Sequence, residues 1–356
     1  MPDAQRPGAG PAWCFPIPAR SVYVGRRSNS QAPELLDPAL TSLFTPPIVL
    51  TGDRLASPPP PGPGARLILG IDSGSNLPDV DARAFDILLT RTTGAPAPWV
   101  SSADPEADAA EVLDAAAANP AATAVLLQVL RIGEGMPVEA ALHLESLAYS
   151  TLLGGEAFRR WRAGVPNRGR RGGAEPVRLE RQGDALHIVL DDPSNRNAIS
   201  AALRDGLVDA LTLPLLDPDL SLVELTGAGP VFCSGGHLDE FGLAQDLAAA
   251  HLIRVRQSPA RLVHRLGERL TARVHGAAIG GGLEIAAAAA RLEARPGTRF
   301  RLPEIRMGLI PGAGGTMSLP RRIGRHRTAF MALTGRALDT ETALAWGLID
   351  GLWGPP

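Results

Sequence analysis

The stretch from Val274 to Thr316, VHGAAIGGGLEIAAAAARLEARPGTRFRLPEIRMGLIPGAGGT, limits what this chain can fold into more than any other. An apolar run, Val274–Ile279, leads into Gly280-Gly281-Gly282, and Leu283–Leu292 follows, rich in Ala, Leu and Ile. That order predicts a strand, a tight glycine turn and a helix. Such a turn leaves backbone N–H groups free at a helix N-terminus, where the dipole favours negative charge. The arrangement suits a phosphate or a developing oxyanion. Two isolated carboxylates accompany it. Glu284 lies in the first helical turn, and Glu304 follows Pro303 and precedes a second glycine turn, Gly312-Ala313-Gly314-Gly315. Taken alone, a glycine triplet marks close packing as readily as a site, and an early helical acid is often only a dipole partner.

The chain has 356 residues, enough for one large domain or two. A hydrophobic content of 45% and a charged content of 20% fit a soluble globular protein, and a cytoplasmic location is the default expectation. A net charge of −2 gives no electrostatic case for nucleic acid or an anionic membrane as partner. All 35 basic residues are arginine, which excludes a lysine Schiff base. Cys14 and Cys233 make neither a disulfide framework nor a metal site. No apolar run reaches the roughly 18 residues a membrane span needs, and without a basic start followed by an apolar block no secretory signal is expected. His and acid spacings predict no metal, and without a Walker loop or a strand-to-helix G-x-G-x-x-G no nucleotide cofactor is expected. Ser234 sits in C-S-G-G rather than G-x-S-x-G, which weakens a serine-hydrolase reading.

Residues 1–65 are rich in Pro, Gly and Ser and predict an irregular extension, with Leu43-Phe44 and Ile48–Leu50 as apolar pieces that dock. Arg66–Gly70 and Phe85–Thr90 read as short buried strands. Helices are expected from the start signal Asp104-Pro105-Glu106 on through Asp108–Ala118, over Ala121–Ile132, and from Pro137 to about Leu153. In the last, Val138, Leu142, Leu144, Leu147 and Leu152 are the apolar positions. Residues 164–175 form an Arg- and Gly-rich linker. From 176 to 356 the pattern changes to repeated strand–strand–helix units. A hairpin joins Val177–Arg181 to Ala185–Leu190, helix Ala201–Leu211 follows, and Leu220–Thr226 is a buried strand. Ala244–Leu266 is a long amphipathic stretch.

Four segments together, FCSGGHLDEF (Phe232–Phe241), VHGAAIGGGLEIA (Val274–Ala286), LPEIRMGLIPGAGGT (Leu302–Thr316) and LTGRALDTETALAWGLID (Leu333–Asp350), resemble the enoyl-CoA hydratase/isomerase (crotonase) superfamily in order and spacing. The resemblance implies an α/β fold, a crotonase-like ββα spiral core over 176–356. It implies an acyl-CoA thioester as partner, with coenzyme A part of the substrate and no other cofactor. The N–H groups of Gly236 and Gly281 would bind the thioester oxygen. Glu284 and Glu304 stand at both glutamate positions of the hydratases, where one activates water and the other protonates the α carbon. Asn195, Arg196, Asn197 and Ala198 match the CoA-binding loop. Leu238, Phe241, Leu283, Pro311 and Gly312 would line the acyl pocket. Arg301 or Arg306 could instead pair with Glu304. His237 departs from the family's G-A-D, with Asp239 and Glu240 available for the missing acid's structural role.

The helical region, 66–163, carries a second resemblance. Glu111–Trp161 has the look of the helices that follow the core in this superfamily and build its trimers. A permuted order is therefore expected, helical region first and core second, with a homotrimer or a hexamer implied by the same resemblance. Hydration of a 2-enoyl-CoA is the expected activity. Double-bond isomerisation, other thioester-enolate chemistry, and a catalytically idle binding subunit are the alternatives.

Overall fold

The computed structural model describes residues 46–59, 66–166, 169 and 175–354. Expectations for residues 1–45, Leu43-Phe44 among them, and for most of the 164–175 linker lie outside these. The N-terminal part opens with four strands, β1 (Ile48–Thr51), β2 (Ile68–Asp72), β3 (Ile87–Thr90) and β4 (Trp99–Ser101). They form one parallel sheet in the order β1-β2-β3-β4. Ile48–Leu50, expected to dock, does so as part of β1, which pairs with β2. β4 was not foreseen, because three residues between turn-forming segments carry no readable period.

Four helices follow: α1 (Pro105–Ala118), α2 (Pro120–Gly133), α3 (Val138–Leu153) and α4 (Glu156–Ala163). Asp104 caps α1 by accepting from the Ala107 N–H, and Pro105 occupies its first turn, where a missing donor costs nothing. Asn119-Pro120 divides α1 from α2. On α3 the expected apolar positions Val138, Leu142, Leu144 and Leu152 pack against the core, but Leu147 does not. Leu147 is 54% exposed, whereas Glu145, Ser146 and Ser150 are buried.

The C-terminal part repeats one unit. β5 (Val177–Gln182) and β6 (Ala185–Leu190) form the antiparallel hairpin, and α5 (Ala201–Leu216) follows it. β7 (Leu222–Gly227) is followed by two helices, α6 (Leu247–Arg256) and α7 (Pro259–Leu266). The expected continuous stretch Ala244–Leu266 is thus broken, because Ser258 caps a new helix through the Arg261 N–H and Pro259 starts it. Next come β8 (Leu270–Val274), β9 (Ala277–Ile279), α8 (Gly281–Ala287), β10 (Arg291–Ala294), β11 (Arg299–Arg301), α9 (Gly315–Thr334), α10 (Thr340–Trp346) and β12 (Gly351–Leu352). The main sheet has the order β12-β10-β8-β7-β6-β5, parallel except for the β5–β6 pair.

A second, shorter layer runs beside it. β11 pairs with β9 in parallel, Ala278 bridges Cys233 in parallel, and Gly236 bridges Ile199 in parallel. Each turn of the chain contributes a long strand to one layer, a short one to the other, and a helix.

The N-terminal part is not appended to this core. Leu69, Ile87 and Leu126 belong to the same apolar cluster as Leu225, Leu283 and Phe330. Two buried arginines of α9 fasten the parts together. Arg325 donates to the carbonyls of Phe85, Ala82 and Arg83, and Arg327 to those of Trp99 and Ala95. Buried carbonyls in and around the segments leading into β3 and β4, which would otherwise lose water, thereby gain charged donors.

Candidate active site

The second layer decides where chemistry can occur. Its strands run parallel, so the residues after them emerge side by side at one end, where ligands bind in open α/β sheets. Gly236 ends the Cys233 segment, Gly280-Gly281 ends β9, and Glu304 follows β11. The segments are held in register by Cys233 N–H to Ala277 O (3.1 Å), Ile279 N–H to Cys233 O (3.0 Å) and Gly280 N–H to Arg301 O (2.9 Å). Gly280 has φ +48°, and a Cβ there would strike the Glu304 carboxylate. A side chain at Gly236 would run into the Phe241 ring. Gly280 is favoured by its left-handed φ, and Gly236 by the close approach of the Phe241 ring.

Gly281 is the first residue of α8, so its N–H has no partner in the helix. Among the described residues neither the Gly281 N–H nor the Gly236 N–H donates a hydrogen bond. Both glycines line a cavity of about 1390 Å³, and so do Glu284 and Glu304.

Glu284 is buried, and its Oε2 accepts from the N–H groups of Ala313 (2.6 Å) and Gly315 (2.9 Å). Burial, then the charges of Glu304 and Glu145, hold its pKa well above the usual carboxylate range. Glu304 is raised to about 8, chiefly by burial and further by the charge of Glu145. Its Oε2 is buried with no hydrogen-bond partner among the described residues. It makes no ion pair there either. Arg301 donates to Gly335 O, and Arg306 to Thr334 O, which removes the structural alternative for this acid.

Glu145 was not foreseen. It comes from α3, and its carboxylate accepts from Gly314 N–H (2.7 Å), Thr316 N–H (2.8 Å) and the Thr316 hydroxyl (2.7 Å). Successive amides of the second glycine turn therefore alternate between two acids. Ala313 and Gly315 serve Glu284, while Gly314 and Thr316 serve Glu145. Burial raises the Glu145 pKa to about 7 against these donors. One turn C-terminal on α3, Tyr149 lies against Gly312, and burial pushes its phenol up. The available signal was a polar stripe, Glu145, Ser146, Tyr149 and Ser150, at one-turn spacing on an otherwise apolar helix.

The remaining predicted positions divide. Asn195, Arg196, Ala198, Leu238, Phe241 and Gly312 line the cavity. Asn197, Leu283 and Pro311 do not. Asn197 is fully enclosed and acts as a loop clamp, donating to the carbonyls of Ala228, Val231 and Phe232 and accepting from Asp192 N–H. Leu283 is buried in the core, since the first turn of α8 points it inward while Glu284 faces the cavity. Pro311 packs behind the turn, where a Cβ on Gly315 would meet it. Cys233 is buried, donates to Asn197 O, and is pushed up to about 12 by burial, so it is no nucleophile. His237 lines the cavity with Nδ1 unpartnered among the described residues. Glu240 does hold the loop, accepting from Ala201 N–H at 2.6 Å. From α4, Phe158 and Trp161 stack at 5.8 Å, and Trp161 meets the edge of Phe241, bracing the ring under Gly236.

Residues 180–353 match the enoyl-CoA hydratase/isomerase family. The 2,3-dehydroadipyl-CoA hydratase of Escherichia coli is 35% identical over 175 residues, 49% of this chain and 68% of that protein. The chain belongs to the enoyl-CoA hydratase/isomerase family. An enoyl-CoA isomerase/hydratase of Mycosarcoma maydis is 37% identical over 176 residues, 46% of this chain and 63% of the relative. The chain thus spans about two thirds of the length of the curated relatives it matches. A crystal structure of an enoyl-CoA hydratase from Thermoplasma volcanium is similar at a TM-score of 0.47 and 31% identity, over 50% of this chain and 72% of that one. The ββα repeats described above are the crotonase-like core expected of a family member. Helices α1 to α4, which supply Glu145, Tyr149 and the Phe241 brace, all lie outside the stretch matched to the family.

Proposed function

We propose that this protein adds water across the double bond of a 2-enoyl-CoA thioester. The observation that carries the proposal is the convergence of two unpartnered backbone donors, Gly236 and Gly281, and two buried glutamates on one cavity. The thioester oxygen would accept from both N–H groups. Negative charge develops on that oxygen as water adds at C3, and preorganised amides stabilise it without reorganisation. One glutamate takes a proton from the attacking water while the other delivers a proton to C2, so the pair returns to its starting charge. Burial and mutual repulsion keep one of the two protonated near neutral pH, as this division of labour requires. Glu284 is oriented by two amides. Glu304 has an acceptor oxygen without a protein partner, suited to a water.

The names of the two relatives support thioester chemistry of this kind. Coenzyme A would enter along the Asn195–Ala198 loop, with Arg196 on the cavity wall as a phosphate donor. Helices α1 to α4 would stand in for the helices that follow the core in this family, in permuted order and within a trimeric or hexameric assembly. Their support is α3, which closes the site from outside the matched region.

One observation favours a second reading. Glu304 Oε2 has no partner among the described residues, whereas Glu284 is tied through Oε2 to two amides, and a single untethered base can move a proton between C2 and C4, which is isomerisation. Incubating the protein with crotonyl-CoA and with a 3-enoyl-CoA separates the two. Loss of the conjugated thioester absorbance from crotonyl-CoA, with a 3-hydroxyacyl-CoA product, is the expected result. Conjugation appearing from the 3-enoyl substrate without hydration of crotonyl-CoA would replace the proposal with isomerase. Tight CoA-thioester binding with neither reaction would mark an idle homologue.

A further inference from the structure

Arg254 is the cavity's unusual side chain. It projects from α6 toward α3 and lines the same cavity as Glu284 and Glu304. Its Nη1 donates to Ser146 O (3.2 Å), Ser146 Oγ (3.0 Å) and Ser150 Oγ (3.1 Å), and its guanidinium lies over the Tyr149 ring at 4.5 Å. These contacts fix the plane of the group. They use one corner only. Among the described residues Nε and Nη2 have no hydrogen-bond partner, and no carboxylate forms an ion pair with Arg254. Several half-buried or buried arginines are matched by a carboxylate, Arg131 by Asp86, Arg325 by Glu134 and Arg336 by Asp108, while Arg327 spends its donors on carbonyls. The nearest acid on the same helix face, Glu145, has its oxygens occupied by Gly314 and Thr316.

Position gives this group a meaning, on the thioester orientation proposed above. The thioester oxygen sits at Gly236 and Gly281, and C2 and C3 sit at the glutamates, so the acyl tail continues past the glutamates. Tyr149 borders that route. It lies against Gly312, adjoining the Ala313 amide that binds Glu284, and Arg254 lies on the ring's other contact. The open Nε–Nη2 edge is the fork that matches a carboxylate with two parallel hydrogen bonds. The charge of Glu145 reaches this partly desolvated guanidinium without a direct ion pair, and an anionic tail would supply the missing contact.

We propose that the acyl group this site prefers carries a carboxylate at its far end, received by the Nε–Nη2 edge of Arg254.

Saturated thioesters test this without turnover. Affinities of glutaryl-CoA and adipyl-CoA are compared with those of pentanoyl-CoA, hexanoyl-CoA and free CoA by calorimetry, on wild type and on Arg254→Met. The wild type should bind at least one dicarboxylic thioester about 10- to 100-fold more tightly than its alkyl counterpart, and Arg254→Met should erase that preference. Free CoA and the alkyl thioesters should bind both proteins alike. Equal or weaker binding of both dicarboxylic thioesters by wild type overturns the inference, and needs no variant. Loss of free CoA affinity in Arg254→Met would overturn it too, by making Arg254 a phosphate contact. Either outcome leaves the hydration proposal standing. Failure of every thioester to bind would instead remove that proposal.

Discussion

At the scale of single residues, the site depends on two acids sharing one turn. Glu284 and Glu145 take alternate amides from Ala313 to Thr316, so neither can shift without moving the other's donors. Glu145 is a positioning residue with an electrostatic reach, because its charge raises both Glu284 and Glu304. Neutralising it in Glu145→Gln should lower the pKa values of the pair. The alkaline limb of kcat would then move to lower pH, and a pH–rate profile reads this directly. An effect on kcat with an unmoved limb would reduce Glu145 to a structural contact. Glu284, Glu304, Gly236 and Gly281 stand out because each lies in a short glycine-bearing segment that resembles the family, and all four line one cavity. The sequence could not reveal that Glu145 meets Gly314, a contact 169 residues away along the chain. Asn197 shows the opposite failure. Its neighbours Asn195, Arg196 and Ala198 line the cavity, yet its own side chain turns inward to hold three carbonyls.

At the scale of elements, the repeated strand–strand–helix units were legible because period and glycine punctuation agree there. β4 was too short to show a period, and the break at Ser258-Pro259 was hidden within a continuous amphipathic pattern. How the N-terminal sheet joins the core was also hidden, since α9 does it with arginines that read as surface residues. Arg325 is buried and donates to three carbonyls of the 82–85 segment. Arg325→Ala strips charged donors from buried acceptors and leaves Glu134 without its partner. Stability should fall by about 3–5 kcal/mol, measured by denaturant unfolding. The shared apolar cluster further implies that both parts unfold in one transition rather than two. A loss below about 1 kcal/mol, or a separate early transition of the N-terminal part, would show that this join is not structural.

At the scale of the whole molecule, the buried acids tie stability to pH. A carboxyl whose folded pKa exceeds its unfolded one keeps a proton on folding, so stability falls as pH rises between the two values. Glu304 is raised to about 8 from an ordinary 4.5, and Glu145 to about 7. His326 is held down at about 4 by burial, which works the other way, but only below its ordinary value of 6.5. The window from 6.5 to about 8 therefore belongs to the acids. Thermal unfolding across it should show the melting temperature falling as pH rises, with Glu304 alone contributing about 2 kcal/mol. Glu304→Gln should flatten that dependence and be the more stable protein at the alkaline end. A wild-type melting temperature that is level or rising there would mean the acids are not held protonated.

The most direct measurement of the central claim is the rate of crotonyl-CoA hydration by wild type, Glu284→Gln, Glu304→Gln and the double variant. Each single change should lower kcat by about 10²- to 10⁴-fold, and the double should be little worse than the slower single, because the two carboxyls act on one water and one double bond. Losses that multiply independently, or a single variant retaining wild-type turnover, would contradict the account.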